Sequence, residues 1–290
     1  MLQLSVLDLS TRLPGPLAAK LLGDLGATVT RLENTHFPDP FKCDENNRFD
    51  QNFKSWYEAI NKNKKIITTD KRSRELEEEL AKLIEAHDII ICSLPDKLLT
   101  KDLFDLSKEK AFIQIRSSKQ QTPLHDLNIL AESGLLDYHL KVAGNNSLPF
   151  IPLAGVIFAE AIAQKAQAAY IEALKTKSFI KKEIFLDEVI QSHLNFLLTQ
   201  EFRKTSETHY LHTGKFPCYN IYQFKDGKHL ALAAIEPKYW NDFLNLFNLG
   251  QNLDQFSATT EQELRRLFIN MKSDEILNVQ SLKNCCATIF

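Results

Sequence analysis

The segment Ser10-Thr-Arg-Leu-Pro-Gly-Pro-Leu-Ala-Ala-Lys-Leu-Leu-Gly-Asp-Leu-Gly-Ala-Thr-Val-Thr-Arg-Leu-Glu33 constrains the fold more than any other part of the chain. It joins an apolar strand to a helix through a Pro-Gly-Pro turn and leads directly into a second strand. Upstream, Leu4, Val6, Leu7 and Leu9 predict a strand over Leu2–Leu9, which Ser10 and Thr11 break. Gly15 allows a close backbone turn and Pro16 suits the first helical position. Leu17, Leu21, Leu22 and Leu25 then follow at helical spacing until Gly23 and Gly26 close the helix. The free N–H groups and positive dipole end of such a helix suit a phosphate, with Arg12 beside them, although many helix starts bind nothing.

The alternation continues. Thr28–Leu32, Ile66–Thr69, Asp88–Ser93 and Ala111–Ile115 predict strands two to five, and Arg74–Ala86 reads as a charged amphipathic helix. The first half is therefore expected to form an α/β, mostly parallel sheet whose ligands sit beyond the carboxyl ends of the strands. Arg12–Pro16, Asn61–Lys65 and Leu94–Asp96 fall at those ends. Lys62, Lys64 and Lys65 either neutralise phosphates there or form a solvated turn.

A net charge of -2 supplies no general attraction to nucleic acid or an anionic membrane, and no window reaches the roughly 20 apolar residues of a membrane helix. The expectation is a cytoplasmic protein that binds neither. Five cysteines (Cys43, Cys92, Cys218, Cys285, Cys286) lack CxxC spacing, against a disulfide framework or zinc site. Nine glycines in 290 residues, against a usual share of about 7%, leave little for glycine-lined loops.

The second half changes character. Gly155–Lys175 predicts an alanine-rich helix and Glu183–Lys204 another. Tyr219–Phe224 and His229–Ala234 form a hairpin about Asp226-Gly227, followed by helices over Lys238–Phe247 and Thr260–Met271. The expected organisation is a Rossmann-like domain over 1–180, a connecting helix over 181–205 and a small α+β domain over 206–290.

Four stretches occur in order: the opening segment, Ala59-Ile-Asn-Lys-Asn-Lys-Lys-Ile-Ile-Thr-Thr-Asp70, His125-Asp-Leu-Asn-Ile-Leu-Ala-Glu-Ser-Gly134 and Asp226-Gly-Lys-His-Leu-Ala-Leu-Ala-Ala-Ile-Glu-Pro237. Together they resemble the family III CoA-transferases, the CaiB/BaiF group, and most of all its α-methylacyl-CoA racemase branch. The resemblance implies that family's fold, an interlocked homodimer, and CoA or an acyl-CoA as ligand or substrate, with no metal. It assigns the CoA nucleotide to Gly15, Pro16, Asn61, Lys62, Asn63 and Lys64, beside Arg12, with Leu127 and Asn128 in the second binding stretch.

The same resemblance makes His125 a base beside the α-carbon of a thioester. Imidazole suits that work near neutral pH, although the residues alone equally describe a surface or capping histidine. Asp126 orients that ring or offers its backbone to the substrate. Glu236 matches a supporting carboxylate, or caps the helix that begins at Pro237.

The departures concern the chemistry. The family's catalytic aspartate, a covalent nucleophile in transferases and the opposite acid/base in racemases, falls on Gly155 of Pro149-Phe-Ile-Pro-Leu-Ala-Gly155. Glu160, about 140° further around the helix, does not replace it. Asn34 stands where the racemase branch carries a basic residue. Cys92-Ser-Leu-Pro-Asp96 lacks an arginine, and Ser117–Thr122 lacks a glycine-rich turn. Two readings result: an enzyme exchanging the α-proton of an acyl-CoA, or a non-catalytic relative that keeps the fold and serves as a partner or regulatory subunit, alone or beside a complete family member.

Overall fold

The computed structural model describes residues 4–42, 52–99, 109–120, 124–143, 151–195, 211–276 and 279–290. Cys43, Gln121, Thr122, Pro123, Pro149 and the 196–205 end of the expected connecting helix lie outside the described residues. The chain divides into two compact units, Met1–Leu198 and Thr199–Phe290.

Six parallel strands organise the first unit: β1 (Ser5–Leu9), β2 (Thr28–Asn34), β3 (Lys65–Thr69), β4 (Ile89–Cys92), β5 (Ala111–Arg116) and β6 (Ile180–Phe185). Their order is β3-β2-β1-β4-β5-β6, so the chain reverses direction across the sheet between β1 and β4. That reversal opens a crevice at the carboxyl ends of these two strands, where ligands of such sheets bind.

Side chains of the central strands alternate between two apolar faces, as period-2 geometry requires. Val6, Ile89, Ile91 and Ile113 meet α1 (Pro14–Asp24) and α6 (Leu153–Thr176) on one face. Leu7, Leu9, Ile90 and Phe112 meet α3 (Ser73–Glu85) through Leu76, Leu80 and Ile84 on the other. Each such side chain removed from water contributes about 1.5–3 kcal/mol. The remaining helices of this unit are α2 (Asn52–Asn61), α4 (Asp126–Glu132), α5 (Leu135–Ala143) and α7 (Leu186–Leu194).

Two sequence expectations need correction. Helix α1 begins at Pro14, which places Gly15 and Pro16 inside its first turn. Gly15 is there for contact and not for a turn: a Cβ would lie 2.2 Å from Ser10 Oγ and 2.9 Å from Ile115 Cδ1. Ser10 is itself hydrogen-bonded to the buried Asp8 carboxylate and cannot yield freely. A Gly15→Ala variant should therefore lose about 1–3 kcal/mol, the range for overpacking, read as a fall in the thermal unfolding midpoint; an unchanged midpoint would show that the β1–α1 junction is slack.

The second correction is at Glu183, expected in a helix and found in β6. Along this strand Ile180, Lys182 and Ile184 are the more covered positions and Lys181 and Glu183 the exposed ones. The chain pairs with β5 from Ala111↔Ile180 to Arg116↔Phe185 before turning into the short α7. Edge-strand alternation with charges on the wet side resembles an amphipathic helix when only a few residues are read.

The second unit is a three-stranded antiparallel sheet, β7 (Tyr219–Gln223), β8 (His229–Ala233) and β9 (Ala287–Ile289), in the order β7-β8-β9. Helices α8 (Pro237–Leu246), α9 (Ala258–Asn270) and α10 (Val279–Asn284) accompany it. The Asp226-Gly227 turn forms with Gly227 at φ 85°, a conformation that favours glycine. Tyr222, Phe224, Trp240, Phe243 and Phe268 form its core.

Candidate functional site

The loop after β1 is fixed from below by a buried charge network. Arg31 on β2, 1% exposed, donates to Asp8 Oδ2 (2.9 Å) on β1, to Glu33 Oε1 (3.0 Å), to Asp39 Oδ2 (2.6 Å) and to the Ser10 carbonyl (2.9 Å). Lys64 donates to the same Asp8 oxygen at 2.9 Å and to the Pro16 carbonyl at 2.7 Å. Lys42 and the Tyr57 hydroxyl complete the shell of Glu33.

Burial alone would raise the Asp8 carboxyl, but Lys64 and Arg31 hold it below the usual carboxylate range. Glu33 is likewise held down against burial by Lys42, Tyr57 and Arg31. Asp39 goes the other way, because its burial outweighs its hydrogen bonds. Asp39 also accepts the N–H of Arg12 at 3.0 Å, and Arg12 sits at φ 65°. The network thus sets the backbone from which α1 starts.

This arrangement divides the expected nucleotide residues. Lys64 is spent inside the protein, and Asn61 is buried with its amide donating to the Tyr57 carbonyl at 2.9 Å. Gly15 and Pro16 are buried as well. Arg12, Lys62 and Asn63 are the ones that face solvent. Within the lysine turn Lys62 and Lys65 are exposed, whereas the Lys64 side chain is buried. The signal that would have found the network is a charged residue, Asp8, set among the apolar Val6, Leu7 and Leu9 of one strand; such a charge requires a buried partner.

Beside this loop a cleft opens at the carboxyl ends of the strands, lined by Leu9 at the end of β1 and Thr11 after it, Glu33 and Asn34 at the end of β2, Leu76 of α3 and Leu94 after β4. Phe37, 62% exposed, stands at it too. Asn34 is occupied in holding the rim: its amide donates to the Lys71 carbonyl and its oxygen accepts the His36 N–H. An arginine does reach the 92–96 segment, from β5: Arg116 pairs with Asp96 at 2.6 Å and with Glu183 at 2.7 Å.

The His125 stretch lies at the start of α4. His125 is its exposed N-cap residue, and its N–H donates to Asn128 Oδ1 at 3.0 Å. Leu127 and Asn128 are also exposed. The Asp126 carboxylate reaches a second helix: its Oδ1 accepts the N–H of Gly155 at 2.8 Å, in the first turn of α6. Burial raises the Asp126 carboxyl above its ordinary value, with the N–H groups of Gly155 and Ala154 opposing. Asp126, expected to orient the His125 ring or to offer its backbone to the substrate, thus has its carboxylate at the start of α6.

A Cβ at Gly155 would lie 3.0 Å from Leu13 Cδ2 and 3.8 Å from Asp126 Oδ1. Position 155 therefore joins the loop after β1 to the start of α4, and brings the two halves of the candidate site together. Glu160 is exposed further along α6. Glu236 belongs to the second unit, where it is the exposed N-cap residue of α8 and accepts the Trp240 N–H through its carbonyl, not its carboxylate. Among the described residues no group of three His, Cys, Asp or Glu gathers to hold a metal, and no helix is long and apolar enough to cross a membrane. The described cysteines, Cys92, Cys218, Cys285 and Cys286, are free thiols.

A Rossmann-like parallel unit with a crevice at its strand ends, in a chain that also carries a small α+β unit, is the fold class. The family model for CoA-transferase family III matches residues 1–288, and the chain belongs to that family. Among its relatives, a CaiB/BaiF CoA-transferase family protein of Caenorhabditis elegans is 22% identical over 98% of this chain and 84% of its own. The (R)-2-hydroxy-4-methylpentanoate CoA-transferase of Clostridioides difficile is 31% identical over 42% of this chain and 32% of its own. A CaiB/BaiF family protein from Brucella suis has the same fold, with a TM-score of 0.72 at 19% identity, over 94% of this chain and 79% of the other. A protein from Mycobacterium tuberculosis also reaches 0.72, at 20% identity over 99% and 82%.

Proposed function

We propose that this protein binds an acyl-CoA and exchanges the proton on the carbon next to its thioester, with His125 as a base. The observation that carries the reading is the junction at Gly155, which sets the loop after β1 against the segment that presents His125. The cleft beside that loop takes the nucleotide, with Arg12 and Lys62 toward its phosphates and Asn63 beside them. Lys64, Asn61 and Gly15 serve by fixing the loop. The exposed Leu127 and Asn128, beside His125, add to the CoA-binding surface. CoA is the group the site holds, and its thioester supplies the acidity of the α-proton.

Gly155 favours a second reading, a relative that keeps CoA binding without catalysis and works as a homodimer or beside a complete family member. Incubation with a 2-methylacyl-CoA in D2O separates the two: uptake of deuterium supports exchange, and its absence in a protein that binds CoA by calorimetry supports the second. Binding has its own residue test. A Lys62→Ala variant should weaken CoA about fivefold, from the ~1 kcal/mol of one exposed charge contact, with the loss shrinking in high salt. Unchanged affinity would place the phosphates elsewhere.

A further inference from the structure

We propose that the adjacent thiols Cys285 and Cys286, in the turn that leads from α10 into β9, form a reversible oxidation site at which a peroxide closes a disulfide between the two neighbours. The site lies in the second unit and is independent of the acyl-CoA reading, whose cleft and base belong to the first.

Among the described cysteines Cys286 alone is partly exposed, while Cys92, Cys218 and Cys285 are buried. Helix α10 closes through two short-range bonds, from the Cys285 N–H to the Leu282 carbonyl at 3.1 Å and from the Cys286 N–H to the Lys283 carbonyl at 3.2 Å. Cys286 then takes φ 55°, the left-handed conformation on which helices most often end with glycine or asparagine. A cysteine is held there against its own preference, and strain of this kind gathers at functional positions. Its neighbour is fixed as well: Cys285 Sγ donates to the Leu282 carbonyl at 3.1 Å and to the Ser281 carbonyl at 3.4 Å.

The two sulfurs differ as the chemistry requires. Burial pushes the Cys285 thiol up to about 11, and the neighbouring Cys286 sulfur adds to the rise, so the two groups are close enough to sense each other. Cys285 therefore stays a thiol in neutral solution and resolves, whereas Cys286, open to solvent, meets the oxidant first. The Cys286 thiolate attacks one peroxide oxygen: an S–O bond forms, the O–O bond breaks, and the departing hydroxide takes a proton to become water. The Cys285 sulfur then attacks the Cys286 sulfur. An S–S bond forms, the S–O bond breaks, and the hydroxyl leaves with the Cys285 proton as a second water. Two thiols are oxidised and one peroxide is reduced.

Neighbouring Cα atoms lie about 3.8 Å apart across a trans peptide, whereas disulfides ordinarily span about 4.4–6.8 Å. The bridge is therefore strained and easily reduced, which suits a regulatory disulfide and not a structural one. Strand β9 takes up the strain. It has three residues, lies at the edge of its sheet, and is tied to the turn where the Cys286 carbonyl accepts the Ala233 N–H at 2.9 Å.

The reduced protein, treated with hydrogen peroxide, alkylated and digested, reads the site by mass. The peptide carrying residues 285 and 286 should lose two hydrogens and both alkylation sites, and reduced glutathione should restore them. In the oxidised protein the Ala233 amide should exchange with solvent about tenfold faster, as local opening of β9 requires. C286S should abolish the bridge and leave Cys285 a thiol, while C285S should stop at a sulfenic acid on Cys286 that dimedone traps. C285A, apolar at the buried position, gives the same reading where serine lowers the melting midpoint. Two thiols still alkylated after peroxide would overturn the proposal, as would a bridge from Cys285 to Cys218 of the same core or irreversible oxidation of Cys286 beside an intact Cys285. A bridge that glutathione leaves closed, or an unchanged Ala233 amide, would overturn its reversible, strand-loosening character.

Discussion

Arg31→Met should cost about 3–5 kcal/mol of folding free energy, because it removes one partner from a buried ionic cluster and leaves the others uncompensated. Arg31 is 1% exposed and answers three carboxylates at once. Without it, among the described residues, Asp8 keeps only Lys64 as a charged partner and Asp39 keeps none. The exposed pair Arg74–Glu78 provides the contrast: its side chains are 90% and 61% accessible, and Arg74→Ala should change stability by less than about 1 kcal/mol.

The pH dependence follows from the same cluster. Asp8 and Glu33 have folded values below their unfolded ones, so their contribution is present above the ordinary carboxylate range and is lost as pH falls through the folded values. Asp39 is raised and contributes in the opposite sense. The Arg31→Met variant should thus lose less on acidification than wild type. Urea unfolding at neutral and acidic pH checks both points, and a variant within 1 kcal/mol of wild type would show that the cluster relaxes without cost.

His125→Ala should lower α-proton exchange by about 10²–10⁴, the usual worth of a positioned general base. The fold should survive the change. Residue 125 is tied to α4 through its backbone, the N–H donating to Asn128 Oδ1 and the carbonyl accepting the Ile129 N–H, and the residue is exposed, so circular dichroism and the melting midpoint should match wild type. CoA affinity should also hold, since Arg12 and Lys62 are untouched. Exchange at the wild-type rate in this variant would move the base to another residue.

Much of the fold was legible because strong local signals agree with one another. The opening strand–turn–helix, the apolar run Ile89–Cys92 and the Asp226-Gly227 hairpin each combine periodicity with turn chemistry. Helix α2 gave a weaker signal, since Asn52–Asn61 mixes aromatic and polar residues. Strand β9 has three residues and is set by pairing with β8, 55 or more positions earlier in the chain. Local reading has no access to such pairing.

The site was legible by segment and not by role. Lys62 and Lys64 sit two apart in one basic run, yet one faces solvent and the other is 2% exposed against Asp8, a partner 56 residues away. Charge type alone does not separate them. Gly155 was read as a loss, and the structure adds what the sequence could not, the carboxylate of Asp126 beside it.

The α-deuterium content of a 2-methylacyl-CoA, measured by mass spectrometry after incubation with stoichiometric protein in D2O, tests the central claim most directly. The account expects one deuterium at the α-carbon with wild type and only the background level with His125→Ala. Wild type that binds the acyl-CoA yet leaves its α-proton in place would contradict it.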